Sequence, residues 1–169
     1  TRIQLSADGR LLQEARLNLA ARPPVTPADY VDVFKGTAHS RWMIAPGPWM
    51  PFGMVKLAPD NQTQGWAAGY EYSIEHIDCF SHLHEWTMGG LGMMPTVGPL
   101  QTQPGLGGTG YSSRFDKATE RGGIGYYEVF LKDTGIKVEL TATTRAALQR
   151  YTFPASDRAR VMVDFLLPN

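Results

Sequence analysis

The sequence predicts an all-β protein built from antiparallel strands, and three observations carry that expectation. Gly at 18 and Pro at 12 among 169 residues exceed ordinary usage of roughly 7% and 5%, which favours a turn-rich β architecture over a helical bundle. Short alternating or β-branched runs outnumber helix signals, and no convincing long amphipathic helix appears. A chain of this length can bury one core.

The elements follow in order. Arg2-Ile3-Gln4-Leu5-Ser6 alternates, Asp8-Gly9 is the dipeptide of a two-residue hairpin turn, and Leu11 to Ala21 returns as a strand or a helix. Arg22-Pro23-Pro24-Val25-Thr26-Pro27 reads as a linker, because proline cannot donate to a sheet interior. Residues 1–27 are therefore either the tail of a preceding β-module or a hairpin packed on the domain formed by residues 28–169. Within that domain Met54-Val55-Lys56-Leu57 is a short strand ended by Pro59-Asp60. Gln101 to Gly125 holds seven glycines and few apolar residues, the composition of a solvated surface excursion. Tyr126 to Leu131 is aromatic and β-branched, and Asp133-Thr134-Gly135 turns it into Ile136 to Leu140, where apolar residues alternate with Lys137 and Glu139. That is a hairpin. Arg150 to Phe153 and Arg160 to Phe165 repeat the theme across Pro154-Ala155-Ser156-Asp157.

Several function classes are disfavoured at this level. Lys plus Arg equals Asp plus Glu at 16 each, so there is no basic field to collect nucleic acid. No window approaches the roughly 20 apolar residues of a membrane helix, and no signal segment follows Thr1. Cys79 has no second cysteine to pair with, and a free cysteine is most often a small buried hydrophobe, though a reactive thiol is the alternative. Gly105, Gly107, Gly108 and Gly110 do not make a phosphate loop, because no Gly-Lys-Ser/Thr ending and no helix follow. Asn61-Gln62-Thr63 matches a glycosylation acceptor, but the motif is too short to carry weight.

Chemistry concentrates in Asp78-Cys79-Phe80-Ser81-His82-Leu83-His84-Glu85-Trp86-Thr87-Met88-Gly89-Gly90. In an extended segment His82, His84 and Trp86 would form a row of rings on one face, with Leu83, Glu85 and Thr87 on the other. The imidazoles are either satisfied by backbone carbonyls at a strand end or belong to a sugar-recognition or metal site. A transition-metal site would draw on His82, His84 and Glu85 with His76 or Asp78, but the set lacks a clear fourth ligand.

Collinear motifs over more than a hundred residues bear on the choice. Tyr30 to Thr37, Met50 to Asp60, Gly65 to Ser73, Phe80-Ser81-His82, Met94 to Gly98, Gly125-Tyr126-Tyr127, Glu139 to Arg145 and Arg150 to Pro154 together resemble the glycoside hydrolase family 92 α-mannosidases. The resemblance implies an N-terminal β-sandwich packed on a C-terminal (α/α)6 barrel, an active site between them, calcium as cofactor and an α-mannoside glycan as substrate. It also implies that the catalytic carboxylates and the calcium ligands come from the barrel. This chain would then be an incomplete N-terminal part of a calcium-dependent, inverting exo-α-mannosidase, inactive alone, secreted or periplasmic, with the C-terminal barrel as its partner. A noncatalytic carbohydrate-binding or scaffolding sandwich is the alternative.

Candidate substrate-binding residues follow from the same resemblance. Trp66, on a glycine-flanked segment, offers an indole face to a pyranose, or else plugs a core gap. His82 and His84 would donate to ring hydroxyls and Glu85 would accept. Phe34 and Gly36 lie on a loop resembling one that shapes the floor of the site. Leu83-His84-Glu85-Trp86 replaces the family's Thr-His-Leu-Ser, so Glu85 and Trp86 are where leaving-sugar selectivity would differ.

Overall fold

A computed structural model describes residues 2–7, 10–16, 26–38, 44–61, 69–84 and 88–165. The strands are β1 (Arg2–Ala7), β2 (Arg10–Arg16), β3 (Ala58–Asp60), β4 (His76–Ile77), β5 (Cys79–Ser81), β6 (Leu83–His84), β7 (Met88–Gly89), β8 (Gly92–Thr96), β9 (Ser113–Arg114), β10 (Arg121–Gly123), β11 (Tyr126–Leu131), β12 (Ile136–Ala142), β13 (Ala147–Thr152) and β14 (Arg160–Asp164). Among the described residues the only helical pieces are short 3-10 turns at Pro27–Tyr30 and Lys117–Thr119.

Two four-stranded antiparallel sheets form the sandwich, one ordered β10-β11-β12-β13 and the other β14-β8-β5-β3. Tyr127, Val129 and Leu131 of β11 and Ile136, Val138 and Leu140 of β12 meet Phe80 of β5 and Met94 of β8 in one core. The alternation that predicted the β11–β12 hairpin is the reason for that arrangement: Tyr127, Val129 and Leu131 are buried while Tyr126 and Phe130 are exposed. Burying each such side chain contributes about 1.5–3 kcal/mol. β1 and β2 pair with each other from Arg2↔Arg16 to Ala7↔Arg10, so the returning segment is a strand over Arg10–Arg16. The proline-rich stretch from Arg22 to Val25 lies outside the described residues.

Two expectations are corrected. The strand near residue 57 is Ala58–Asp60, not Met54–Leu57, and it contains Pro59. Proline is tolerated there because β3 is the last strand of its sheet and pairs on one side only, with β5. The glycine-rich stretch from Gln101 to Gly125 is not a mere solvated excursion, since it contributes β9, β10, a 3-10 turn and the buried residues Tyr111, Ser113, Phe115 and Glu120. Asp78 holds its tip: the carboxylate accepts from Gly107 N at 2.9 Å, Gly108 N at 3.1 Å and the Ser112 hydroxyl at 2.6 Å.

Candidate functional site

β3 and β5 pair as Ala58↔Ser81 and Asp60↔Cys79, so the chain on either side of this short ladder carries most of the candidate residues. β5 ends at Ser81 and the backbone bends at His82. The expected uninterrupted row of His82, His84 and Trp86 is therefore broken. His82 is half-buried and Leu83 exposed, whereas His84 is fully buried.

His84 is committed at both ring nitrogens. Nδ1 lies 2.6 Å from the Lys56 carbonyl, which can only accept, so Nδ1 donates. Nε2 lies 2.8 Å from Asp60 Oδ1, and both side chains have no solvent exposure. Two lone pairs would repel at that distance, so a second proton sits on the Nε2–Oδ1 line. Both ring nitrogens of His84, which were expected to serve a sugar hydroxyl, are engaged by groups of the chain in this structure. Its first partner is a backbone carbonyl, the bland alternative for the pair.

Around this pair the packing is close. Trp49 tilts over the His84 ring with centroids 6.0 Å apart, and its Nε1 donates to Leu57 O at 3.0 Å. Gly47 allows this approach, since a Cβ there would fall 2.1 Å from Leu57 O and 2.3 Å from Trp49 Nε1. Lys56 Nζ stands 5.5 Å from the Trp49 ring centroid. The buried Cys79 thiol donates to Asp60 Oδ2 at 3.5 Å. Burial pushes its pKa up and the neighbouring Asp60 carboxylate adds to this, so it stays a thiol and the reactive reading fails.

Trp66 lies outside the described residues, and the chain on either side of its segment is held by several hydrogen bonds. Asn61 N donates to Gly69 O at 2.7 Å, closing the neck. The Asn61 amide donates to Glu71 O at 3.1 Å and accepts from Glu71 N at 2.8 Å. With its amide nitrogen so used and only 1% of its surface exposed, Asn61 is not a glycan acceptor in this fold. Tyr70 then donates to Glu120 Oε1 at 2.8 Å, alongside Tyr127 at 2.7 Å. Lys117 Nζ donates to Tyr70 Oη at 2.8 Å and Glu120 Oε2 at 3.0 Å, and lies 4.5–4.9 Å from the centroids of Tyr72, Phe115 and Tyr70. Desolvation lowers the Lys117 pKa against the opposing pull of Glu120.

Phe34 and Gly36 reach the same neighbourhood. Phe34 packs edge-on to Tyr72 at 5.9 Å, Tyr72 N donates to Thr37 O at 3.1 Å, and Gly36 has φ +89° in the turn between them. Glu85 and Trp86 also lie outside the described residues, in the span between the paired ends Leu83↔Gly89 and His84↔Met88. Among the described residues no three His, Cys, Asp or Glu side chains gather as a metal site, and the Asp78 of the transition-metal reading is held by the glycine-rich tip. Asp60, Trp49, Lys117 and Glu120 were missed as site residues. Asp60 and Trp49 meet His84, and Lys117 and Glu120 meet Tyr70, across more than twenty residues of sequence, contacts that no local pattern displays.

Residues 30–167 match the glycosyl hydrolase family 92 N-terminal domain. The chain belongs to that family. A family 92 α-mannosidase of Bacteroides thetaiotaomicron, solved in complex with mannoimidazole, superposes with a TM-score of 0.76 at 32% identity, covering 83% of this chain and 20% of the other. A family 92 inverting mannosidase of the same organism shares the fold, with a TM-score of 0.70 at 24% identity over 85% of this chain and 20% of that one. An uncharacterized secreted glycosidase of Arthroderma benhamiae is 29% identical over 134 residues, 74% of this chain and 17% of its own length. The chain thus spans about a fifth of these relatives, and the β-sandwich expected from its motifs is the fold observed. No helix among the described residues is long and apolar enough to cross a membrane.

Proposed function

We propose that this chain is the N-terminal part of a calcium-dependent, inverting exo-α-mannosidase, exported to act on glycans, and that it supplies substrate-binding loops while the catalytic carboxylates lie in a C-terminal (α/α)6 barrel. The observation that supports this best is the match over residues 30–167 together with the 32% identity to an α-mannosidase solved with mannoimidazole. The local chemistry agrees. Asp60, Asp78, Glu120 and Glu139 are each tied to donors within the chain, which leaves them ill-suited to act as an acid and base spaced roughly 6.5–9.5 Å apart around a sugar in an inverting mechanism.

Calcium, in this reading, belongs to the barrel. It would supply charge stabilisation to the distorted sugar, and no residue of this chain is assigned to it. What the chain contributes in this reading is the substrate-binding residues Trp66, Glu85, Trp86, Phe34 and Gly36.

The test is activity of the full-length protein on aryl α-mannosides, with the anomer of the first product read by NMR. Release of β-mannose, lost with a calcium chelator and restored by calcium, is expected. Release of α-mannose, or activity indifferent to chelation, would refute the mechanism. Full activity of residues 1–169 alone would refute the division of labour.

A further inference from the structure

We propose that the outer face of the sheet β10-β11-β12-β13 is an accessory sugar-binding surface, which takes a neutral glycan chain across Tyr126 and Leu148. The inference goes beyond the proposed division of labour and does not depend on it. The inner face of this sheet is packed in the core through Val129 and Leu131 of β11 and Val138 and Leu140 of β12, so the outer face is a rigid platform. Side chains two apart on a strand share a face, which turns Tyr126, Glu128 and Phe130 outward from β11 and sets Glu139 beside Glu128 and Arg150 beside Glu139.

Tyr126 is held as a flat apolar surface. Its Oη lies 2.7 Å from Glu128 Oε2 and 2.7 Å from Glu139 Oε1. To reach both carboxylates the ring must lie along the sheet, instead of standing off it as outward side chains ordinarily do. One ring face is left to solvent, and Tyr126 is 38% exposed. Beside it is a hollow of about 280 Å³ lined by Tyr126, Glu139, Thr141, Leu148 and Arg150, which has room for a sugar ring. Glu128 and Glu139 stand directly opposite each other, a like-charge pairing that costs stability. Lys137 Nζ, at 2.8 Å and 3.4 Å, and Arg150, at 2.6 Å, offset it. Core packing on the other face does not call for two carboxylates here. On the other side of this charged rank Arg121, Glu128, Phe130 and Lys137 help line a second hollow of about 210 Å³.

The chemistry of this face fits a sugar. Its charges alternate in sign and are already paired, so they do not collect a polyanion. Its apolar groups, Tyr126, Leu148 and Phe130, are separated by charge, whereas the centre of a protein interface is depleted of charge. A pyranose offers a C–H face to the tied ring and hydroxyls that both donate and accept. Those hydroxyls can bridge onto Glu139 and Arg150 without breaking the pair, because Arg150 keeps 68% of its side chain in solvent. Membership of a glycosidase family puts glycans within reach of this face.

The experiment uses the full-length protein, wild type and the variants Tyr126→Ala, Tyr126→Phe and Leu148→Asp, each checked for a cooperative melt. Electrophoresis through gels containing α-mannan, β-glucan or galactan measures binding to a neutral glycan, and hydrolysis of an aryl α-mannoside reads the active site. At least one polymer should retard the wild type. On that polymer Tyr126→Ala and Leu148→Asp should bind about tenfold more weakly. Tyr126→Phe keeps the ring and loses its tie, so its loss should be about threefold. Hydrolysis of the aryl α-mannoside should stay within about twofold in all three, because the face is apart from the chemistry.

No retardation of the wild type on any polymer would overturn the inference, and so would equal retardation of wild type and variants. Equal retardation together with a lower Tm in both Tyr126→Ala and Leu148→Asp would assign the face to a protein contact instead. A parallel loss on the aryl α-mannoside would place the effect in the active site and count equally against an accessory surface. Should the wild type hydrolyse no aryl α-mannoside, the proposed function fails and the gels still decide this inference. Should Tyr126→Ala fail to fold, Leu148→Asp decides alone, at a position 64% exposed.

Discussion

Glu120→Ala should be among the most destabilising single substitutions in this domain. Glu120 accepts from Tyr70 Oη at 2.8 Å, Tyr127 Oη at 2.7 Å and Lys117 Nζ at 3.0 Å. Both tyrosines are fully buried, and burial, ahead of the nearby carboxylate, raises each phenol far above its ordinary pKa. Neither can escape its unmet donor by ionising. Truncating Glu120 strands two buried hydroxyls at about 1–3 kcal/mol each, or about 4 kcal/mol together. Lys117 adds little to that figure, because a fifth of its side chain reaches solvent and it keeps its bond to Tyr70.

Tyr127→Phe is the control. It removes one donor and leaves Glu120 bonded to Tyr70 and Lys117, so the cost should be about 1 kcal/mol. For a domain of this size each kcal/mol moves Tm by about 2–4 °C, giving an expected drop of about 8–16 °C for Glu120→Ala and about 2–4 °C for Tyr127→Phe. Urea denaturation and calorimetry of the protein would read both. A loss below about 1 kcal/mol in Glu120→Ala, or equal losses in the two variants, would show that water or rearrangement satisfies the hydroxyls and would refute the reasoning.

The other expectations concern the outer sheet face, one strained turn and the glycine-rich tip. Arg150 donates to Glu139 through Nε at 2.7 Å and a terminal nitrogen at 2.6 Å, and with Tyr126 it lowers the Glu139 pKa from an ordinary 4.5 to about 2. A depressed carboxyl pKa stabilises the fold above about 4.5, and that contribution is lost as pH falls toward about 2; Arg150→Met should flatten the Tm profile across this window, and parallel profiles would count against the pair. Phe52 is fully exposed at φ +57°, in the turn closed by Gly53 N to Met50 O at 2.9 Å. Since a left-handed non-glycine residue costs roughly 1–2 kcal/mol and glycine returns roughly 0.4–1 to the unfolded chain, Phe52→Gly should raise stability by about 0.5–1 kcal/mol, checked by urea titration. Asp78→Ala should free the amides of Gly107 and Gly108 to exchange at least tenfold faster in hydrogen exchange, with slow exchange retained in β12; unchanged rates at the tip would show that Asp78 does not hold it.

What the sequence by itself determined is whatever repeats over enough residues to show a period or a motif. The β11–β12 hairpin was legible because Tyr127, Val129 and Leu131, and then Ile136, Val138 and Leu140, must face one core, with Asp133-Thr134-Gly135 marking the reversal. The family was legible because its motifs run collinearly from Tyr30 to Pro154. The tertiary structure alone decided the rest, where elements are too short for periodicity and their partners are distant. β3 has three residues and contains a proline, a combination that only an edge position in the sheet permits. The stretch from Gln101 to Gly125 looked solvated because its anchors are Asp78, Tyr70 and Tyr127, none of them within it. His84 has the letter of a ligand and the surroundings of a structural tie, because the groups that consume its two nitrogens belong to Lys56 and Asp60, which only the folding of β3 against β5 brings to it.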